Sequence, residues 1–324
     1  MNEQSQQPEI SIVFTNWNTR DYMRDCIHSM AEKTKELTYE IIVVDDGSTD
    51  GSVEMLRKEF PQVKVIINER NLGVAKAYNR GVAQVRGRYV QMLNTDMILL
   101  NNAIKILYDF LESHPEAAAC GAWLRNRDMS SQISYGNFPS LSQALVDAFF
   151  LNDLFPRAGF PNRGAIPRET MTTPFETEYV TGASMLIRKS VIDDLGFFDE
   201  RFTSYCEETD FCYRLKTLAK LKLYFVPEAQ IIHFGGASFS KVRKYQTQLQ
   251  YSSYHKFLTK HHGRVYSFIT RLFYAWHYCV KTIVRFIQYL FATPGSKEVK
   301  KNYYLNSWYV VRYSIITNET FTGK

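Results

Sequence analysis

Val43-Val44-Asp45-Asp46-Gly47-Ser48 is the stretch on which the fold turns. A β-branched apolar run reads as a buried strand, and it stops on two carboxylates followed by turn residues. Two further pieces lie downstream: Asn71-Leu72-Gly73 running on to Asn79-Arg80-Gly81, and Leu93-Asn94-Thr95-Asp96. The last again sets amide and acid side chains just past an apolar run. In an open α/β sheet, ligands bind at the carboxyl ends of the strands. An acid there can grip a base or a ribose, and a second acid can hold a metal against phosphates.

Outward from this stretch, strands and helices alternate. Ile10–Phe14 predicts a strand, and Asp21–Lys33 a helix with Tyr22, Met23, Cys26, Ile27 and Met30 on one face. Glu40–Val44 is the second strand, and Ser48 to Ser52 supplies capping residues for a helix ending near Phe60. Val63–Ile67, Val74–Val85, Tyr89–Leu93, Asn101–Ser113 and Ala117–Leu124 continue the pattern. It implies an α/β fold of right-handed βαβ units, with a mostly parallel central sheet and helices on both faces. Between Arg125 and Thr177 the pattern dissolves. Five of the ten prolines fall there, so regular elements must be short, and so long a connection reads as a lid, a binding loop or a disordered segment. Tyr179–Arg188 then predicts a buried strand, Glu207–Ala219 a helix, and Leu221–Val226 with Gln230–His233 two short strands.

From Tyr245 onward the chain reads as helical and differs in charge from the rest. Residues 234–324 carry 14 Lys+Arg against two acids, Glu298 and Glu319, whereas 1–233 hold 25 basic and 31 acidic residues. The overall charge of +6 hides this asymmetry. A basic, aromatic tail on an acidic body should seek an anionic partner: a membrane surface, a lipid diphosphate or nucleic acid. Arg271–Phe291 is apolar and aromatic, but Arg271, Lys281 and Arg285 disfavour a membrane-spanning helix. The pattern suits an amphipathic helix in the membrane interface, or one packed on the body with a solvated basic face. The five scattered cysteines read as reduced intracellular thiols, and the polar Met1–Glu9 predicts no signal peptide.

Three sites carry candidate chemistry beyond Asp45-Asp46. No G-x-G-x-x-G or G-x-x-x-x-G-K occurs, so no glycine cradle holds a nucleotide, and an acid at the second strand's end is the alternative grip. Either Asp45 or Asp46 could instead cap the next helix. Asn94-Thr95-Asp96 resembles an acid-x-acid cation motif with Asn in the first place, and Asp96 alone could hold a cation against phosphate oxygens. Tyr205-Cys206-Glu207-Glu208-Thr209-Asp210 crowds three carboxylates into four residues, so at least one pKa should rise if they are partly buried. A general base can arise this way, while a solvated acidic helix start is the simpler reading. Ile231-Ile232-His233-Phe234-Gly235-Gly236 ends an apolar run on a histidine that could ligate a metal, which would favour Mn²⁺ over Mg²⁺.

Together these residues resemble the inverting family 2 glycosyltransferases of GT-A fold, over about Glu9 to Ser238. The bacterial members that add rhamnose and related sugars to cell-surface polysaccharides share the signatures Val44–Ser48, Asn71-Leu72-Gly73, Leu93–Asp96, Thr181-Gly182-Ala183, Gly196-Phe197-Phe198-Asp199-Glu200 and Glu207–Asp210. The resemblance implies a GT-A catalytic domain over 1–240 and a basic, aromatic-rich helical extension over 241–324. It assigns Asn16, Asn18, Asp46, Asn71, Gly73 and Asn94 to the nucleotide, Asp96 and His233 to a divalent cation (Mn²⁺ or Mg²⁺), and Gly182 and Glu207 to the acceptor side. The family usually shows Glu-Asp at 207–208 with the base on the second residue. Here that residue is Glu208, which leaves the base open between Glu208 and Asp210, with Glu208 preferred.

The expected reaction is a single displacement from a nucleotide-diphosphate sugar, dTDP- or UDP-linked, to a glycan or polyprenyl-diphosphate-linked oligosaccharide acceptor. The expected place is the cytoplasm, peripheral on the inner face of the cell membrane. The aromatic tail could pack a homodimer as well as meet lipid. A sugar-1-phosphate nucleotidyltransferase would need a glycine-rich basic loop where Thr15–Thr19 stands. A non-catalytic sugar-nucleotide-binding protein on the same fold gains only from Asn94 and Glu208, both of which keep oxygen ligands. A nucleic-acid partner lacks any recognition motif.

Overall fold

Ile10, Ile12 and Phe14 bury one side of the first strand and Val13 the other, and Ile41 and Val43 alternate with Ile42 in the second. A strand with apolar residues on both faces must lie inside a sheet covered twice. The computed structural model describes residues 7–155, 158–160, 163–235 and 243–315. Expectations that fall on Met1–Gln6, Pro156, Pro161, Gly236 and Glu319 lie outside them. The chain divides into two compact units: Met1–Phe138 with Gly164–Ser240, and Pro139–Arg163 with Lys241–Lys324.

The first unit opens with β1 (Ile10–Asn16), α1 (Arg20–Lys33), β2 (Tyr39–Asp45), α2 (Ser52–Glu59), β3 (Lys64–Ile67), α3 (Val74–Val82) and β4 (Tyr89–Leu93). It continues through β5 (Met97–Leu99), α4 (Ala103–Ser113), β6 (Ala117–Arg125), β7 (Tyr135–Gly136), β8 (Gly164–Ala165), β9 (Phe175–Thr177), β10 (Tyr179–Val180) and β11 (Ser184–Arg188). It closes with α7 (Lys189–Leu195), α8 (Glu207–Thr217) and β12 (Lys222–His233). The main sheet runs β3-β2-β1-β4-β11-β6-β12-β5, with β9 beside β12, and β10-β7-β8 form a small second sheet. Helices α1, α2 and α4 pack on one face through Met23, Ile27, Leu56, Ile104 and Leu107. On the other, α3, α7 and α8 pack through Tyr78, Ile192, Phe211 and Leu215.

The α/β architecture with helices on both faces is as the sequence predicts, and the parallel expectation holds from β3 to β4. Beyond β4 the sheet is mixed, because β11 runs antiparallel to both β4 and β6. The single strand expected over Tyr179–Arg188 is divided. Tyr179 and Val180 pair with β7 in the small sheet, Ser184–Arg188 joins the main sheet, and Thr181-Gly182-Ala183 is the crossing. Conversely, the two strands expected before His233 form one, whose pairing with β6 breaks register between Val226 and Gln230. Pro227 lies in that break, where a residue without an N–H cannot serve the ladder. The segment after Arg125 holds β7, β8 and β9, each too short for periodicity to reveal.

The second unit comprises α5 (Leu141–Ala148), α6 (Leu151–Leu154), α9 (Arg243–His262), α10 (Arg264–Leu290), a 3₁₀ turn at Pro294–Ser296 and α11 (Lys297–Ile315). Ser140 caps α5, its hydroxyl accepting from the Gln143 N–H. Among the described residues no helix is long and apolar enough to cross a membrane, and no disulfide joins any of the five cysteines.

Gly73, the N-cap of α3, has φ 90° and ψ 158°, a conformation open essentially to glycine alone. A Cβ there would also sit 2.6 Å from the Thr203 carbonyl oxygen. Gly73→Ala is therefore expected to cost about 1–3 kcal/mol, read as a lower denaturant midpoint at unchanged slope.

Candidate active site

The ends of β1 and β2 are tied by side chains that the sequence could only place nearby. Asn16 is fully buried, and its amide donates to Asp45 Oδ2 (2.7 Å) and Ser48 Oγ (3.1 Å) while its Oδ1 accepts from Thr19 (2.6 Å). Thr19 in turn meets the Thr95 hydroxyl at 2.7 Å, joining this corner to the end of β4. Asn18, at φ 55°, accepts from the Thr49 N–H at 2.8 Å. Asn16 and Asn18 thus build the loop from within.

Asp46 is buried and gathers a second loop. Its Oδ1 accepts from Asn68 Nδ2 (2.8 Å) and the Leu72 N–H (2.9 Å), and its Oδ2 from the Gly73 N–H (3.1 Å). Arg80 donates to Asn68 Oδ1, which fixes the Asn68 amide with its nitrogen toward Asp46. Asn71 folds back on the same loop, its Oδ1 accepting from the Gly73 N–H at 3.0 Å. Neither Asp45 nor Asp46 caps α2. That helix starts at Ser52, whose N–H goes to Asp50 at 3.1 Å.

Strand pairing brings Asp96 and His233 together. The backbone pairs His233 with Met97, and the Phe234 N–H reaches the Asp96 carbonyl at 3.0 Å. His233 Nε2 then lies 3.4 Å from Asp96 Oδ1, with Asn94 Nδ2 at 3.5 Å from the same ring nitrogen. Gln132, absent from the sequence reading, decides which ring nitrogen faces the carboxylate. Its Nε2 donates to the His233 carbonyl at 2.6 Å, so its Oε1 is the atom 2.9 Å from His233 Nδ1. An amide oxygen only accepts, so Nδ1 carries the proton. In the neutral ring Nε2 is then an acceptor facing the Asp96 carboxylate, and together the two could hold a divalent cation. Among the described residues no third His, Cys, Asp or Glu joins them. Mg²⁺ and Mn²⁺ sites commonly draw their remaining ligands from diphosphate and water.

The acidic cluster forms the first turn of α8, where the helix dipole favours carboxylates. Tyr205 and Cys206 precede it in consecutive left-handed conformations, at φ 67° and 64°, a costly backbone of the kind that gathers at functional sites. The three carboxylates have different surroundings. Asp210 is fully buried and pairs with Arg214 Nε at 3.0 Å. Arg214 also donates to the carbonyls of Leu195, Gly196 and Phe197, so this pair brackets α8 against the Gly196–Glu200 turn. Glu207 is 8% exposed, its Oε2 has no hydrogen-bond partner, and burial aided by the charge of Glu208 pushes its carboxyl well above the usual range. Glu208 is half-buried, and its Oε1 accepts from the Thr209 hydroxyl at 3.0 Å.

Gly182 links this cluster to the strand ends. A Cβ on it would lie 3.2 Å from Glu208 Cβ, and the neighbouring Ala183 carbonyl accepts from the Asn94 N–H at 3.0 Å. One short turn therefore touches both Glu208 and the Asn94–Asp96 segment. Asn79 joins the remaining signatures, its amide exchanging hydrogen bonds with the Phe198 backbone at 2.9 and 3.0 Å.

A family model described as Glycosyl transferase family 2 matches residues 11–196. The N-acetylglucosaminyl-diphospho-decaprenol L-rhamnosyltransferase of Mycobacterium tuberculosis (strain ATCC 25618 / H37Rv) is 26% identical over 267 residues, 78% of this chain and 85% of that protein. Rhamnosyltransferase WbbL of Escherichia coli (strain K12) is 25% identical over 236 residues, 69% of this chain and 83% of that one. The mannosyltransferase PcManGT from Pyrobaculum calidifontis, solved with GDP-Man and Mn²⁺, shares the fold at TM-score 0.58 and 11% identity, over 96% of this chain and 87% of that one. GalNAc-T7 with UDP, GalNAc and Mn²⁺ does so at TM-score 0.55 and 17% identity, over 79% of this chain and 51%, about half, of that one.

Glu207 yields a prediction from its burial. Its folded pKa exceeds the unfolded value near 4.5, so the folded state keeps a proton that the unfolded chain has lost. Stability therefore falls as pH rises above 4.5, by up to about 1.4 kcal/mol per pH unit, until the folded pKa is passed. Glu207→Gln should remove this slope. Denaturant midpoints should show the variant more stable than the native chain at about pH 8, with the advantage fading toward about pH 4.

Proposed function

The chain belongs to glycosyl transferase family 2, and from that premise we propose that it transfers a deoxyhexose of the rhamnose class from a dTDP- or UDP-linked donor to a polyprenyl-diphosphate-linked saccharide, with inversion. The observation that carries this reading is the turn at Thr181-Gly182-Ala183, which packs Glu208 and binds the Asn94–Asp96 segment. The sugar and acceptor are argued from the rhamnosyltransferases at 26% and 25% identity.

Each residue then has a task. An acceptor hydroxyl gives its proton to Glu208 as its oxygen bonds the anomeric carbon, and the bond from that carbon to the diphosphate oxygen breaks. Asp210 holds α8 in place through Arg214 and is a positioning residue. Glu207, whose burial disfavours its charged form, eases the like charge beside Glu208 and lies on the acceptor side with Gly182. About four lone-pair sites exist on a carboxylate, and Asp46 spends three on its loop, which leaves one to accept a base N–H. Asn71, Gly73 and Asn94 line the same nucleotide region, and Asn16 and Asn18 shape it. Asp96 and His233 would hold a divalent cation, Mn²⁺ or Mg²⁺, whose charge offsets that gathering on the departing diphosphate.

The proposed station is the cytoplasmic membrane surface, which the lipid-linked acceptor requires. On α10 Val265, Phe268, Leu272, Trp276, Ile283, Ile287 and Leu290 are all exposed, at spacings that set them along one side of the helix. Arg271, Lys281 and Arg285 lie among them in sequence, the composition of an interfacial helix.

Glu208→Gln should lose about 10²–10⁴-fold in turnover when polyprenyl-diphosphate-linked N-acetylglucosamine is offered with dTDP-rhamnose. It should still show metal-dependent thermal stabilisation by dTDP, worth about 2.7 kcal/mol at 100 times the dissociation constant, and Asp96→Ala should lose that stabilisation. Near-native turnover by Glu208→Gln would move the base elsewhere, and stabilisation only by a purine nucleotide would displace the donor. In flotation with vesicles the native chain should bind anionic lipid at low salt, and Trp276→Glu should weaken it; binding equal to that on neutral vesicles would remove the membrane reading.

A further inference from the structure

Arg127 is an exposed arginine that is held in place yet answers to no acid. Its guanidinium carbon lies 4.3 Å from the centre of the Phe234 ring, and that ring in turn lies 5.4 Å from the ring of Tyr22. Among the described residues the guanidinium makes no hydrogen bond or ion pair. The adjacent acid, Asp128, is spent on Ser130, whose N–H and hydroxyl reach its Oδ1 at 3.0 and 2.5 Å. Phe234 is half-buried, so the ring is a fixed platform, and the stacked guanidinium keeps its N–H fork without a protein acceptor.

Strand order puts this stack at the ligand end of the sheet. β6 and β12 run parallel, with Arg125 opposite Ile232. Arg127 and Phe234 therefore both stand just past a strand's carboxyl end, where open α/β sheets bind ligands. Phe234 follows His233 directly, and its N–H is held by the Asp96 carbonyl at 3.0 Å. Gln132 fastens the turn that carries Arg127 to the same place. Its amide donates to Asn126 Oδ1 and to the His233 carbonyl, both at 2.6 Å. The ring beneath the guanidinium is thus the immediate neighbour of the Asp96–His233 pair, and the turn above it is tied to the same histidine.

Charge and shape select the ligand. An unpaired guanidinium at a ligand site takes an anion, and its planar fork matches two oxygens of a phosphate. The adjoining Asp96–His233 pair is the kind of setting in which a divalent cation carries further phosphate oxygens. A diphosphate is the anion that can reach both. We propose that Arg127, stacked on Phe234, is a diphosphate-binding residue that grips phosphate oxygens of a substrate beside the Asp96–His233 pair. The nucleotide donor and the lipid-linked acceptor present the same oxyanion chemistry, and the experiment separates them. On the donor, Arg127 would also offset the charge that gathers on the diphosphate as its bond to the sugar breaks. The inference rests on the glycosyltransferase reading for the presence of diphosphate substrates and adds a residue to it.

The test is ligand-observed NMR titration of the full chain at fixed Mg²⁺ with dTDP, thymidine and geranyl diphosphate. Native protein, Arg127→Ala and Arg127→Lys are compared. Arg127→Ala should weaken at least one diphosphate by about tenfold or more and leave thymidine unchanged. Arg127→Lys, which keeps the charge but not the fork, should restore only part of the loss. A loss with dTDP assigns the residue to the donor, and a loss with geranyl diphosphate alone assigns it to the acceptor. Unchanged binding of both diphosphates by Arg127→Ala would overturn the inference. So would an equal loss with thymidine, the mark of a disturbed fold rather than a missing phosphate contact. A native chain that bound neither diphosphate would sink this inference together with the donor and acceptor proposed above, whereas equal binding by the native chain and Arg127→Ala would sink this one alone.

Discussion

The register of β11 against β4 is the constraint from which the site follows. Ser184 pairs with Leu93, so β11 begins where β4 ends. Only an antiparallel strand can do this, and it delivers the turn at residues 181–183 to the carboxyl end of the sheet. There the Asn94 N–H is held by Ala183, and Gly182 leaves room for Glu208 to pack against its backbone. The same device operates at the sheet's far edge, where β12 runs antiparallel to β5 and sets His233 beside Asp96. Two reversals of strand direction therefore gather residues more than a hundred positions apart.

Much of this was legible in the sequence, and the boundary of legibility has physical causes. The βαβ run to β4 was readable because β1, β2 and β4 are buried on both sides and each helix presents one apolar face. The strand-end acids were readable because Asp46 and Asp96 follow such runs directly. The direction of β11 was not, since a short apolar strand looks the same in either orientation. Gln132 was invisible because it lies in a segment without periodicity, and its role depends on partners at 126 and 233. The acidic cluster was recognisable as a cluster, but the three fates of Glu207, Glu208 and Asp210 depend on burial and on Arg214.

That division of labour among carboxylates follows from cost. A buried charge needs a partner, and Arg214 gives one to Asp210. Glu207, with none at its Oε2, has its carboxyl pushed well up by burial instead. Glu208 is left as the half-exposed member, steadied by one hydroxyl. Asp45 and Asp46 show another solution, in which amide and backbone N–H groups satisfy buried oxygens and so fix the loops that carry them.

Gln132 has a wider consequence. It sits just past the tight turn at residues 126–130, and its amide spans Asn126, the His233 carbonyl and the His233 ring. A cation held at Nε2, as proposed, would therefore be thermodynamically linked to the packing of that turn, and linkage is reciprocal. Whatever presses the turn into place would then tighten the hold on the ion, and loading the ion would stiffen the turn.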